Sequence, residues 1–266
     1  MFIAQLNHAE FANFDFSSLR GGIMAGAPCP VEIMKRVIRE MNCGQLTIVY
    51  GQTESSPVIT GSTADDTLDH RCNTVGCVFP NTEIKLIGRE SLATVPRGEV
   101  GEICARGYAI MKGYDDDPVA TAEAVDGEGW LHTGDLAVML PDGYFHLTGR
   151  KKDMIIRGGE NVYPKEIESF IHQHPKVANV EVVGVPDMKL GEAVAAWIIP
   201  RPGCELTEQE IRDFCQGSIA HFKIPHYIRF VDSFPTTVTG KTQKYIIRQQ
   251  EIEFRGLREA AQLVTA

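Results

Sequence analysis

The sequence predicts an α/β layer that gives way near residue 149 to a separate α+β module. Three observations carry this. "VEIMKRVIREM" (31–41) repeats apolar residues at the helical period and leads into the apolar run "LTIVYG" (46–51). Between 75 and 149 the pattern shortens to apolar runs broken by Gly, Pro and Asp. Beyond Gly149 helix and strand signals return, and the charge balance turns: residues 1–149 hold 10 Lys and Arg against 20 Asp and Glu, whereas 150–266 hold 16 against 15.

Each element has its own warrant. Pro30 suits the first turn of a helix, where its missing N–H costs nothing, and Val31, Met34, Val37, Ile38 and Met41 then share one face. The run ending at Tyr50 reads as a buried strand closed by a glycine, completing a βα layer over 1–74. "TEIKLIG", "GEVGEICARG", "LAVML" and "YFHLTG" predict small antiparallel strands in a barrel-like piece over 75–149. In the last part "YPKEIESFIHQHP" opens a helix, "VANVEVVGVP" and "EAVAAWIIP" read as strands, and Thr207 with Glu210 makes a capping box. The boundary falls at "RKKD" (150–153). The expected organisation is a first domain over 1–149, a hinge at 150–152 and an α+β module over 153–266.

Composition narrows the function. A chain of 266 residues, 43% of them hydrophobic, can bury a substantial core. No run approaches the roughly 18 apolar residues of a membrane helix, and the opening "MFIAQLNHAEFANFDF" lacks the features of a signal peptide. The net charge of −9 sits in the first part, which speaks against nucleic acid as a partner, since that would ask for a basic stripe. Seven cysteines are scattered without Cys-x-x-Cys or nearby His at ligand spacing, as expected of buried thiols in a reducing, cytoplasmic setting. Oligomeric state is not fixed by the sequence, and assembly with further copies of itself stays open.

Four stretches hold groups suited to a nucleotide. In "GGIMAGAPCP" (21–30), Gly26, Ala27 and Pro28 can bring bare backbone close to a flat ring, with a glycine-rich turn as the plain alternative. "YGQTESSP" (50–57) puts Tyr50, Gly51, Thr53 and Glu54 just past a strand. An aromatic ring, a hydroxyl and a carboxylate there can meet a base, a phosphate and a magnesium ion, or make an ordinary polar loop. Asp135, after Gly134 at the start of a strand, can accept both hydroxyls of a ribose or simply form an Asx-turn. His132, His172 and His174 read as packed or solvated, not as ligands. "SFPTTVTGKTQKYIIR" (233–248) ends like a P-loop. Position 235 is proline where G-x-x-x-x-G-K-[ST] needs glycine, so Lys241 stands as a lone cation on a flexible loop, suited to a leaving phosphate or merely solvated.

Taken together, "GGIMAGAPCP", "YGQTE", "GEICARGYAIMKGY", "WLHTGDLAVMLPDGYFHLTGRKKDMIIRGGENVYPKEIE" and "TVTGKTQK" resemble, in order and spacing, the AMP-forming acyl-CoA synthetases of the adenylate-forming superfamily, of the medium-chain or general fatty-acid kind. The resemblance covers essentially the whole chain. It implies the end of a large adenylation domain followed by a mobile C-terminal domain. It also implies that a carboxylate attacks ATP to give acyl-AMP and pyrophosphate, and that the acyl group then passes to coenzyme A. By motif, Gly26, Ala27 and Pro28 would border the adenine, Tyr50 would stack on it, Gly51 would belong to the nucleotide site, Thr53 would contact phosphate and Glu54 would hold Mg2+. Asp135 and Arg150 would serve the ribose, and Lys241 would be the adenylation lysine. Lys152 would be the hinge, and Gly158 and Gly159 would line the path of coenzyme A.

One departure accompanies the match. Family members carry a Ser/Thr/Gly-rich phosphate loop ending in Pro-Lys-Gly before the first of these motifs, and this sequence holds none. The expectation is therefore the C-terminal half of a ligase, inactive alone, with a non-catalytic nucleotide- or CoA-binding remnant as the alternative.

Overall fold

The computed structural model describes residues 1–26, 31–89, 91–238 and 240–260. The chain divides between Thr148 and Gly149 into two compact units.

The first unit opens with α1 (Phe2–Leu6), β1 (Gly21–Met24), α2 (Val31–Glu40) and β2 (Gln45–Tyr50), then β3 (Thr60–Gly61), α3 (Leu68–Asn73) and β4 (Cys77–Val78). These strands form a sheet in the order β1-β2-β3-β4, with β1 parallel to β2 and the other pairs antiparallel. The apolar period of α2 delivers Met34 and Val37, both fully buried, into a cluster with Leu46 and Cys72. Burial of each such side chain contributes about 1.5–3 kcal/mol.

A second sheet follows, with β5 (Thr82–Ile87), β6 (Val100–Gly107), α4 (Pro118–Ala124), β7 (Leu131–Met139) and β8 (Phe145–Arg150), in the order β5-β6-β7-β8. The barrel-like piece expected over 75–149 is corrected here to an open four-stranded sheet, its first two pairs antiparallel, because among the described residues β5 and β8 do not pair. Ile48, Ile59, Leu86, Ile103, Ala137 and Phe145 pack the two sheets into one core. Trp130 packs in a separate cluster with Ile87 and Cys104, with Lys85 Nζ 4.3 Å and Arg106 Cζ 4.5 Å from its ring centre.

The second unit contains β9 (Ile155–Arg157), β10 (Glu160–Val162), α5 (Pro164–Ile171), β11 (Val177–Asp187), β12 (Gly191–Pro200), α6 (Glu208–Cys215), β13 (Tyr227–Phe230) and α7 (Lys244–Arg255). β12 pairs antiparallel with β11 and β9 and parallel with β13, leaving β11 at an edge. Val194, Ala196 and Ile198 face α5 and α6, while Ala193, Ala195 and Trp197 face α7. Burial on both faces explains why β12 reads as a continuous apolar run and not an alternating one. Thr207 Oγ1 accepts from Glu210 N and Glu210 Oε2 from Thr207 N, so the capping box read from the sequence is present. Trp197 Nε1 donates at 2.7 Å to Glu251, a fully buried carboxylate that also accepts from Arg255 Nε at 2.9 Å.

Candidate active site

The parallel pairing of β1 and β2 sets Met24 beside Ile48, so Gly26 and Tyr50 lie two residues further on at the same end of the sheet. Carboxyl ends of neighbouring parallel strands are where such sheets bind ligands. Gly26 has φ +83° and is exposed, while Ala27 and Pro28 lie outside the described residues.

The chain leaves β2 through Gly51, where a side chain has no room. A Cβ there would sit 2.0 Å from the Pro57 carbonyl oxygen, because the strand folds straight back and Ile59 N donates to Tyr50 O at 2.8 Å. Between these points Thr53, Glu54 and Ser55 form a 3-10 turn. The turn is pinned from beneath by the buried Ser55, whose Oγ donates to Gln52 O at 2.9 Å and accepts from Gln52 N at 3.0 Å. Thr53 is exposed. Glu54 is held at both ends: its carbonyl accepts from Met111 N at 2.8 Å and its Oε1 from the Tyr114 hydroxyl at 2.8 Å. That hydrogen bond to the Glu54 carboxylate, together with burial, pushes the Tyr114 phenol up from its ordinary value.

Asp135 lies within β7 and not at its start, which corrects the position read from the sequence. A register shift between Glu102 and Cys104 of β6 marks a bulge opposite Thr133 and Gly134. Gly134, at φ +70°, supplies the turn of backbone the bulge needs. Gly134 N donates to Glu102 Oε1, Thr133 Oγ1 donates to the Ile103 carbonyl, and Asp135 N donates to Thr133 Oγ1. The bulge turns Asp135, only 8% exposed, onto Tyr50, whose hydroxyl donates to Oδ2 at 2.9 Å. The Tyr50 ring itself is 8% exposed and packs with Ile48, Ile59 and Ile103, so it presents little surface to a ligand in this structure. His132 is packed between Cys104 and Asp126, as expected.

The remaining candidates belong to the second unit. Arg150 precedes a 3-10 turn, Lys151–Asp153, that holds the exposed Lys152, and its carbonyl accepts from Met154 N at 3.1 Å. Gly158 and Gly159, at φ +61° and +88°, are the two central residues of the β9–β10 hairpin, a turn that by itself demands glycine. Lys241 is exposed at the base of a short hairpin closed by a Thr236–Thr242 bridge. Thr237 N donates to Lys241 O at 2.9 Å, and Lys241 N to Thr237 Oγ1 at 3.2 Å.

The structure thus joins Tyr50 to Asp135 and gives Glu54 a partner the sequence reading missed. The signal for Tyr114 was slight: a tyrosine between Gly113 and three aspartates. Glu102 gave none. Among the described residues no group of three or more His, Cys, Asp or Glu is arranged to hold a metal. A single carboxylate such as Glu54 suits magnesium that arrives with substrate phosphates, the usual mode for that ion, and does not make a protein-only cage.

The AMP-binding enzyme family matches residues 1–115 and the AMP-binding enzyme C-terminal domain matches residues 166–241. The chain is 52% identical over 257 residues to a putative acyl-CoA synthetase, YngI, of Bacillus subtilis, covering 97% of this chain and 47% of that protein. It is 45% identical over 250 residues to the mitochondrial medium-chain acyl-CoA ligase ACSF2 of Macaca fascicularis, covering 94% and 40%. Among solved structures, the amide bond synthetase McbA from Marinactinospora thermotolerans superposes with a TM-score of 0.85 at 33% identity, covering 94% of this chain and 50% of that one. The chain therefore spans about half the length of the relatives it matches. With both matched regions in order and such identity along nearly its whole length, the chain belongs to the AMP-binding enzyme family, the adenylate-forming enzymes that include the acyl-CoA synthetases.

Proposed function

We propose that this chain carries the ribose, hinge, coenzyme A and lysine elements of an ATP-dependent acyl-CoA ligase. In that reaction a carboxylate oxygen of a fatty or other small acid bonds to the α-phosphorus of ATP as the bond to pyrophosphate breaks. The sulfur of coenzyme A then bonds to the acyl carbon as AMP leaves. The observation that carries the reading is the buried Tyr50–Asp135 pair at the carboxyl end of β2. A carboxylate oriented by a phenol in a site of low dielectric suits two neighbouring ribose hydroxyls.

In this reading Gly26, Ala27 and Pro28 border the adenine, Gly51 belongs to the nucleotide site, and Tyr50 acts chiefly through the hydroxyl it gives to Asp135. Thr53 donates to phosphate, and Arg150 assists at the ribose. Magnesium, held by Glu54 and the phosphates, would neutralise charge there. Lys241 is a point charge for the departing pyrophosphate. Lys152 is the position whose torsions change between the half-reactions, and Gly158 and Gly159 leave room for the pantetheine chain. Lacking a Ser/Thr/Gly-rich loop ending in Pro-Lys-Gly, the chain alone is expected to give no turnover. A reducing compartment such as the cytoplasm belongs to this reading, on the scattered spacing of the seven cysteines without Cys-x-x-Cys.

A second reading puts an amine in the place of coenzyme A, and the likeness to an amide bond synthetase favours it. Both share the first step. The test is acid-dependent ATP–pyrophosphate exchange in the intact enzyme. Lys241→Ala should abolish exchange while sparing thioester formation from supplied acyl adenylate. Equal loss in both half-reactions rejects the role of Lys241, and product formation with amines but not coenzyme A selects the second reading.

A further inference from the structure

Lys244, three residues beyond Lys241 and the first residue of α7, turns its ammonium inward. Nζ lies 2.5 Å from Glu168 Oε1 on α5, 3.1 Å from the Val182 carbonyl and 3.5 Å from Glu181 Oε2, the last two on β11. Glu168 Oε1 also accepts from Val182 N at 2.9 Å. Among the described residues no strand pairs with the side of β11 away from β12, where the N–H and C=O of Val182 meet Glu168 and Lys244. A carboxylate from one face and an ammonium from the other satisfy them and each other.

The arrangement repeats one step along. Arg248 Nε donates to the Gly184 carbonyl at 2.9 Å, and its guanidinium pairs with Glu192. Four residues of helix rise about 6 Å and two residues of strand about 6.6 Å, so Lys244 and Arg248 match Val182 and Gly184 in spacing. Burial works against the Lys244 ammonium, yet Glu168 and Glu181 outweigh it and hold its pKa above the usual lysine range. Glu181 is pushed up by its own burial and by Glu168.

The start of α7 is thereby clamped to the β11 edge, and the loop before it is tied at its base. Gln243 N donates to the Pro235 carbonyl at 2.8 Å, and the hairpin bonds of Thr237 and Lys241 follow directly. We propose that Lys244 is a positioning residue that fixes the backbone from which Lys241 extends. It rests on the reading of Lys241 as the adenylation lysine.

The experiment compares amide hydrogen exchange in the full chain and three variants. In Lys244→Met the amides of Thr237, Gly240 and Lys241 should exchange about tenfold faster or more, while Ala195 and Ala196 of β12 change by less than about threefold. Lys244→Arg should restore most of the protection. Should Lys244→Met fail to fold because two carboxylates are left buried without a cation, the triple variant K244M/E168Q/E181Q removes those charges and is read in the same way. Unchanged hairpin exchange in a folded variant overturns the proposal, as does equal acceleration in β12, which would make Lys244 a support of the whole sheet. In the intact enzyme Lys244→Met should lower kcat for ATP–pyrophosphate exchange about tenfold with KM for ATP little altered. If Lys241→Ala leaves that exchange intact, the adenylation reading fails, and hydrogen exchange alone still decides whether Lys244 holds the loop.

Discussion

The hydroxyl of Tyr114 donates to Glu54 Oε1 at 2.8 Å across sixty residues of sequence, while Met111 N, on the same loop, holds the Glu54 carbonyl. The carboxylate is thus oriented before any ligand arrives. Tyr114→Phe keeps the ring and removes the donor. In the intact enzyme it should raise the magnesium concentration for half-maximal ATP–pyrophosphate exchange by about tenfold, the size of one hydrogen bond to a charged group. The unfolding midpoint should stay put. An unchanged magnesium requirement would show that Tyr114 merely covers Glu54.

Gly51 and Gly44 flank β2 and make a matched pair. A Cβ on Gly51 would meet the Pro57 carbonyl oxygen at 2.0 Å, whereas one on Gly44 meets nothing within 4 Å. Gly51→Ala should therefore cost about 2–4 kcal/mol through forced backbone movement, and Gly44→Ala less than about 0.5 kcal/mol. Urea unfolding of the two variants checks this, and equal midpoints would mean that the turn relaxes freely.

Tyr144 predicts an alkaline effect. Its hydroxyl donates to Asp66 Oδ1 at 2.8 Å beneath a stacked His70 ring, and that carboxylate pushes the phenol up to about 12. A pKa raised in the folded state gives stability that is complete below the unfolded value near 10 and is lost as pH rises toward about 12. Tyr144→Phe should cost about 1–2 kcal/mol at pH 7. The gap between wild type and variant should close across that alkaline window. A gap constant with pH would assign the cost to packing alone.

Lys152 lies in a 3-10 turn, whose φ values are close to the one proline enforces. Lys152→Pro should leave the fold as it stands, crowding only Lys151 before it, and forbid the backbone from changing there. One half-reaction should then fall far more than the other in the intact enzyme. Unimpaired overall turnover would remove Lys152 from the hinge.

What the sequence disclosed depended on the range over which each feature is determined. The apolar period of α2, the run of β2 and the Thr207–Glu210 box are set by residues within a dozen positions of one another, and all are present. Asp135 was recognisable as a chemical group but misplaced along its strand, because the bulge depends on Glu102, more than thirty residues away. The openness of the second sheet depends on whether its outer strands meet, which no local run encodes. Lys244 carried no signal in the sequence for the same reason, since its partners come from α5 and β11. Gly158 and Gly159 were legible as a pair, and their hairpin gives that pair a purely conformational cause as well.

The chain's two tryptophans fall one to each unit. Trp130 has cations over its ring, while the Trp197 indole N–H is tied to a buried carboxylate. Each unit thus contains a native fluorophore in its own electrostatic surroundings. With either indole replaced by phenylalanine, the emission of the other reports on one unit alone. The order in which the two halves of the chain lose structure becomes readable in a fluorimeter, with no label attached and no need to separate them.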